Sequence, residues 1–203
     1  SKITKKQILT LHSKIVLTMT SILIVLGTFV FYIFERKLAF KEMSFPSALL
    51  NAFFESVTLR TAGFETVSQN AFSSHSTFIA KIFMLIGGSP GSMAGGIKTT
   101  TVFLMLLLAY KSANDKNFPS VFKRDISLES IDKATSIFIK GICLLCIMTG
   151  FLLWSQKDLI LNGVFSSESL IFEAFSAFGT VGLSKGITGL LSSSGKILIM
   201  ILM

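Results

Sequence analysis

The sequence is short of charged residues and of the residue types that perform catalysis or bind metals. Charged residues make up 15% of the 203 positions, against roughly 25% in an ordinary soluble domain. The histidines His12 and His75 lie far from the cysteines Cys143 and Cys146, and neither pair is accompanied by a cluster of carboxylates. The cysteines also lie within an apolar run, where a zinc or redox site would lack hydrophilic surroundings and further ligands. These absences exclude a metal centre and an enzyme built on a nucleophile and a base.

Long hydrophobic runs are what the sequence has instead. Hydrophobic residues make up 51% of the chain, and the mean hydropathy is +0.70. The segment 15–34 has 20 residues without a charge, which at about 1.5 Å per residue matches a hydrocarbon thickness of about 30 Å. A second run, 134–154, is interrupted only by Lys140, and a third, 78–110, is too long at 33 residues for one simple crossing. The sequence therefore predicts an all-α integral membrane protein that passes through the lipid bilayer of the cell membrane several times.

The net charge of +8 comes from basic residues concentrated beside these runs. They precede the first run and fill the stretch between the third run and the second: Lys2, Lys5, Lys6 and Lys14, then Lys111, Lys116, Lys123, Arg124 and Lys133. Loops rich in lysine and arginine stay in the cytoplasm, so the N-terminus and the loop 111–133 are predicted to be cytoplasmic and 35–77 and 155–195 to lie outside. Aromatic residues are not interleaved with these lysines as a nucleic-acid surface requires, and we expect no nucleic-acid partner.

One short pattern occurs twice, as Thr61-Ala62-Gly63-Phe64 and Thr180-Val181-Gly182-Leu183, with the two glycines 119 residues apart. An apolar stretch precedes each copy, 49–59 and 170–178, and a long run lies further upstream. This order predicts tandem helix/pore-loop/helix repeats, in which backbone carbonyls replace the water around a cation. Glycine can adopt the positive φ that turns its carbonyl inward. Phe64 and Leu183 are expected to wedge each turn against neighbouring helices.

We assign six carbonyl groups as ligands of the cation, three in each copy: those of Thr61, Ala62, Gly63, Thr180, Val181 and Gly182. Because carbonyls are neutral, they suit a weakly hydrated monovalent cation that must also leave.

A glycine-rich segment, 87–96, interrupts the third run. Its small residues and proline, with the lysine that follows, are candidates for a gating loop: Gly87, Gly88, Ser89, Pro90, Gly91, Ser92, Gly95, Gly96 and Lys98. Proline and several glycines cannot sustain a helix, and irregular backbone at membrane depth must be buried in protein or face a water-filled cavity. We therefore predict a broken second helix in the first repeat. Close helix packing, a phosphate-binding loop and a cytoplasmic linker are the alternatives, and each fits the segment less well.

Two cationic residues flank these segments. Arg60 directly precedes the first turn, where a positive charge on the axis would repel a cation. We expect it to point away and to pair with Glu55 or Glu173. Lys98 is an expensive group at membrane depth, and it is either functional or a lysine that reaches the interface.

The segments 59–64, 87–100 and 178–184 together resemble the Ktr/Trk/HKT superfamily of potassium transporters, and most closely its KtrB membrane subunits. The resemblance implies four pore-loop repeats around one pore, each with one filter glycine. Residues 1–110 would be the third repeat and 134–203 the fourth, with its last helix cut short. The remaining repeats, or a second chain, would complete the pore.

The function that the resemblance implies is potassium uptake, with an intramembrane gating loop just below the filter. It also implies a homodimer on a cytosolic ring of nucleotide-binding regulatory subunits, which would dock at the cytoplasmic loop 111–133. Nucleotide would act only through that partner, and Na⁺ is a candidate activator beside the transported K⁺. A secondary transporter with discontinuous helices around a midplane substrate site is the alternative, and inverted repeats would distinguish it.

Overall fold

The computed structural model describes residues 10–110, 120–121 and 124–203, which form eight α-helices and one pair of two-residue strands. The helices are α1 (Leu11–Glu35), α2 (Phe45–Thr58), α3 (Ser74–Leu85), α4 (Thr99–Tyr110), α5 (Leu128–Ser155), α6 (Lys157–Leu161), α7 (Ser167–Phe178) and α8 (Ser193–Leu202). The strands β1 (Ser120–Val121) and β2 (Arg124–Asp125) pair antiparallel. Residues 111–119 and 122–123 of the predicted loop 111–133 lie outside the described residues.

Hydroxyl side chains begin most of the long helices. The N-cap residue of α1, Thr10, accepts a hydrogen bond from the backbone N–H of Ser13 at 3.2 Å, and serines do the same at α3, α5, α7 and α8. Such caps satisfy backbone donors that have no partner within the helix. At α2 a proline occupies the first turn instead, where its missing N–H is not needed.

Helix α1 buries one stripe and exposes the rest. Its buried residues recur every fourth position: Ile15, Met19, Leu23, Gly27, Phe31 and Glu35. Gly27 faces Ser56 of α2, and a Cβ at Gly27 would come within 2.3 Å of the Ser56 hydroxyl oxygen. The stripe thus lets α2 approach closely, while the remaining face is apolar and exposed, as on a helix that contacts lipid.

The lengths of the helices agree with the predicted runs. Within the described residues, α1 and α5 are long and apolar enough to cross a bilayer, with mean hydropathies of 2.2 each. The third run, 78–110, is divided between α3 and α4, and residues 86–98 between them are not helical. The predicted break is therefore present, and with no helix there the alternative of glycine-mediated helix packing does not fit.

The two halves of the chain repeat one arrangement. A long helix, a short apolar helix, a glycine turn and a short 3₁₀ turn follow one another in both halves, with the 3₁₀ turns at Gln69–Ala71 and Thr188–Leu190. The same offset of 119 residues relates these turns, the two glycines and the starts of α3 and α8. The short helices α2 and α7 are the predicted pore helices. Both halves run in the same sense along the chain, as tandem repeats do.

Candidate ion-conduction site

The two glycine turns lie beside each other. Gly63 has φ +75° and Gly182 has φ +91°, so both adopt the left-handed conformation that glycine tolerates best. A Cβ at Gly63 would come closer than 3.0 Å to the carbonyl oxygen of Val181, whereas a Cβ at Gly182 would lie 3.7 Å from the Cα of Gly63. The predicted filter segments of the two repeats are therefore in direct contact.

Backbone hydrogen bonds hold the amides of both turns against the pore helices. The N–H groups of Ala62 and Gly63 donate to the carbonyl of Thr58 at 3.1 and 3.4 Å. In the second repeat the N–H of Thr180 donates to Ala177 and that of Val181 to Ser176, both at 2.9 Å. Each turn thus directs its donors back toward the end of its pore helix.

The carbonyls behave differently from the amides. Among the described residues, none of the six predicted ligand carbonyls accepts a hydrogen bond. Four of the six, those of Thr61, Gly63, Thr180 and Val181, belong to buried or half-buried residues, and such carbonyls almost always have a partner. Carbonyl oxygens left free in this way, grouped in two touching turns, are compatible with the predicted site for a dehydrated cation.

Two threonines share the strained conformation. Thr61 has φ +73° and Thr180 has φ +50°, and they are the only residues other than glycine with positive φ in the described chain. A β-branched residue adopts this conformation at a cost of roughly 1–3 kcal/mol, and such strain concentrates at functional sites. The prediction from sequence included both threonines but not their strain. The signal was the hydroxyl residue that the two copies share.

The wedging residues were predicted correctly in one repeat and wrongly in the other. Leu183 is buried in the main apolar core, but the Phe64 side chain is 71% exposed. The first turn is fixed instead by Thr58, whose hydroxyl accepts from the N–H of Phe64 at 2.9 Å and donates to its carbonyl. Because these bonds hold the backbone of Phe64, its ring is not needed for packing within the described chain.

The predicted gating loop is closed at its base. The N–H of Gly87 donates to the carbonyl of Ile97 at 2.9 Å, and the N–H of Ile97 donates to Leu85 at 3.0 Å. Within the loop that this base closes, Gly91 has φ +85° and Gly96 has φ +68°. The side chain of Met93, at the tip, is fully exposed. The segment is a compact loop whose base is a single β-bridge between Ile86 and Ile97, and it does not form an extended linker.

Thr180 joins this loop to the second filter turn. Its hydroxyl accepts from the N–H of Gly95 at 2.8 Å, and the N–H of Gly96 donates to the carbonyl of Phe178 at 3.2 Å. A Cβ at Gly95 would lie 2.6 Å from the Thr180 methyl group. Gly95 therefore allows the close approach, and the loop rests directly on the predicted filter turn of the second repeat.

Lys98 holds the loop in shape. Its ammonium group donates to the carbonyl of Ala94 and, at 3.3 Å, to that of Ser92. Both acceptors belong to the loop, so carbonyl groups of the loop solvate the charge of Lys98. Of the two interpretations of Lys98, these contacts favour a role in the loop.

The predicted carboxylate partner of Arg60 is wrong, whereas its side chain does turn away from the glycine turn, toward α1. Its guanidinium donates to the hydroxyl of Thr20 on α1 at 3.3 Å, and its buried Nε has no partner among the described residues. Glu55 accepts instead from the amide of Gln69 at 3.1 Å. Arg60 follows the end of α2 and reaches back to α1, whereas Glu55 lies one turn earlier and faces the segment beyond the filter.

Glu173 also braces the segment beyond its filter turn. Its carboxylate accepts from the hydroxyl of Ser184, from the N–H of Lys185 at 3.1 Å and from the hydroxyl of Thr188 at 3.0 Å. Thr188 occupies the position equivalent to Gln69. In each repeat, therefore, a buried carboxylate of the predicted pore helix holds the segment that follows the glycine turn. The sequence signal was an acidic residue inside an apolar helix.

Lys185 ties the second repeat to the first. Its ammonium group donates to the hydroxyl of Thr77 on α3 at 3.0 Å and lies 5.6 Å from the centre of the Phe172 ring. Its carbonyl accepts from the side chain of Asn70 at 3.2 Å. Burial lowers the pKa of Lys185. Sequence reasoning missed this lysine, because its hydrogen-bonding partners Thr77 and Asn70 lie more than one hundred positions away.

Comparison with known proteins agrees with this architecture. The family model described as TrkH, cation transport protein, matches residues 3–203. The chain belongs to this family. The predicted resemblance is thereby confirmed, and so is the largely helical fold. Family membership, with the two helices of spanning length, supports a location in the membrane.

Individual relatives support the assignment to the TrkH family. Potassium/sodium uptake protein NtpJ of Enterococcus hirae is 36% identical over 196 residues, which cover 96% of this chain and 43% of that protein. Ktr system potassium uptake protein D of Bacillus subtilis is 35% identical over 194 residues, covering 96% and 42%. The chain thus spans about four-tenths of the length of these relatives.

A solved structure shares the fold. The potassium transporter TrkH from Vibrio parahaemolyticus superposes with a TM-score of 0.70 at 18% identity, covering 92% of this chain and 40% of that one. The helical fold of this chain is therefore one that a solved transporter structure also has.

Proposed function

We propose that this chain contributes two of four pore-loop repeats to a potassium uptake pathway in the cell membrane. The observation that carries the proposal is the set of six carbonyls without hydrogen bonds in the turns 61–63 and 180–182. Their oxygens can take the place of water around K⁺, while the amides stay bonded to the pore helices. The carbonyl ends of α2 and α7 add partial negative charge at the same place. Relatives named for potassium or potassium/sodium uptake are consistent with this ion.

The loop 86–98 is proposed to be the gate. It lies against the second filter turn through Thr180, and its glycines allow it to change shape at little cost. Its attachment to the filter means that a movement of the loop removes a hydrogen bond from Thr180. Opening the gate and reshaping the filter would then be coupled.

Completion of the pore requires further repeats, from a longer subunit or from a second chain, because two turns cannot surround an ion on four sides. We propose that the assembled transporter is a homodimer with the N-terminus and the loop 111–133 in the cytoplasm. A cytosolic nucleotide-binding partner would contact that loop. The segments that follow the two glycine turns line one pocket and are joined by the bond from Asn70 to the carbonyl of Lys185, so both turns open to the same side. This arrangement favours the pore over the alternative of a transporter built from inverted repeats.

Uptake of ⁸⁶Rb⁺ into proteoliposomes that hold the complete transporter tests the proposal. External K⁺ should compete with Rb⁺, and tetramethylammonium should not, because a ring of carbonyls cannot enclose so large a cation. Vesicles without protein are the control. Uptake no greater than in the control vesicles, or competition by tetramethylammonium as strong as by K⁺, would contradict a carbonyl filter.

A further inference from the structure

A polar pocket of about 310 Å³ lies directly above the two filter glycines. Both Gly63 and Gly182 line it, together with four polar side chains, those of Glu65, Ser68, Asn70 and Ser184. At roughly 30 Å³ per water molecule, the pocket has room for an ion with a layer of water. An ion in this pocket would be next to the filter without yet having lost its water.

Glu65 gives the pocket its charge. Of the residues that line it, Glu65 is the only acidic or basic one. Its Oε2 is 3.4 Å from the N–H of Gln69, and its Oε1 accepts no hydrogen bond from the described residues. The equivalent position in the second repeat is Ser184, whose hydroxyl donates to Glu173. The negative charge therefore comes from one side of the pocket.

The lysine that follows the pocket residue Ser184 in the sequence is directed away from the pocket. Lys185 follows Ser184, but its ammonium group is held on Thr77 and over the ring of Phe172, and neither of these residues lines the pocket. Without that restraint, a flexible side chain could bring a positive charge to the mouth of the filter. Its contacts keep the pocket attractive to cations.

We propose that this pocket is a binding site for a hydrated monovalent cation, with Glu65 as its charged ligand. The inference rests on the proposed pore function, since it places the site at the entrance of that pore. A single carboxylate beside hydroxyl and amide oxygens suits a monovalent cation, because sites for Ca²⁺ combine six to eight oxygen ligands, with several carboxylates among them. The site raises the local concentration of the ion before dehydration.

Glu65→Gln tests the site in the complete transporter. A unit charge about 6 Å from a hydrated ion changes its affinity roughly threefold at the dielectric constant of water. The half-saturation concentration for ⁸⁶Rb⁺ uptake should therefore rise about threefold or more in Glu65→Gln, with maximal uptake retained. Glu65→Asp should stay near wild type. At about 1 M ionic strength, where the Debye length is about 3 Å, wild type and Glu65→Gln should become alike.

Glu42→Gln is the matched control, since Glu42 is an exposed carboxylate in the loop after α1 that does not line the pocket. Thr77→Val is the second variant. Thr77 lies outside the pocket, and its replacement removes the hydroxyl that holds the Lys185 ammonium group, so the half-saturation concentration should also rise. The site is overturned if Glu65→Gln behaves as Glu42→Gln, or if only maximal uptake falls. If Glu65→Gln does not reach the membrane, an unchanged half-saturation concentration in Thr77→Val also overturns the site. Absence of Rb⁺ uptake in wild type would remove the pore itself.

Discussion

The contact between the two filter turns predicts that the filter glycines differ in their tolerance of a side chain. Both have positive φ, which disfavours an L-residue by about 1–2 kcal/mol. At Gly63 the added Cβ also meets the backbone carbonyl oxygen of Val181, which cannot rotate away as a side chain would. At Gly182 the nearest atom is 3.7 Å from the added Cβ, an ordinary contact distance.

Gly63→Ala should therefore displace a predicted ligand of the ion, and Gly182→Ala should only strain its own turn. A change of about 1 kcal/mol in the difference between K⁺ and Na⁺ affinities alters their ratio about fivefold, and about 1.4 kcal/mol alters it tenfold. We expect the K⁺ preference to fall about fivefold in Gly182→Ala and at least tenfold in Gly63→Ala.

Competitive uptake of K⁺ and Na⁺ in cells that lack other potassium importers measures both ratios. Gly163→Ala is the matched control, because Gly163 has φ +72° but no atom within 4 Å of the added Cβ. It carries the same conformational penalty away from the filter, so its ion preference should match wild type. Equal losses in Gly63→Ala and Gly182→Ala, or a larger loss in Gly182→Ala, would refute the reasoning from contact.

Three further predictions concern the gating loop and the cytoplasmic side. Thr180→Val should raise Rb⁺ leak through the unactivated transporter by freeing Gly95, and Thr180→Ser should restore tight closure; a leak equal to that of Thr61→Val would argue against a specific link. Lys98→Met removes the donor to two loop carbonyls and should also raise this leak, whereas Lys98→Arg should raise it less. Flux assays in proteoliposomes measure both leaks, and equal leaks in the two variants would contradict the role of the donor. Neutralising Lys123 and Arg124 should weaken co-purification with a cytosolic partner without reducing membrane insertion, and undiminished binding would leave this loop only a role in topology.

The elements that could be predicted from sequence are those determined by local composition. Apolar runs of spanning length became α1 and α5, and the glycines and proline of 87–96 broke the third run. The positive φ of Gly63 and Gly182 also followed from the residue type.

Long-range contacts could not be predicted in the same way. The partner of Arg60 is Thr20, 40 residues earlier, and the hydroxyl of Thr180 meets Gly95, 85 residues away. Each depends on how α1 and the loop pack against the pore helices, which no local pattern encodes. The exposure of Phe64 has a local origin instead, since Thr58, six residues earlier, holds its backbone.

Anomalous scattering from Rb⁺ bound to the complete transporter tests the central claim most directly, because it locates the ion without assuming a pathway. Crystals grown with Rb⁺ in place of K⁺ should show an anomalous peak bordered by the carbonyl oxygens of residues 61–63 and 180–182. The same peak should weaken in Gly63→Ala crystals. Rb⁺ bound elsewhere in the protein, with no peak between these two turns in a transporter active in uptake, would contradict the claim that they form the ion filter.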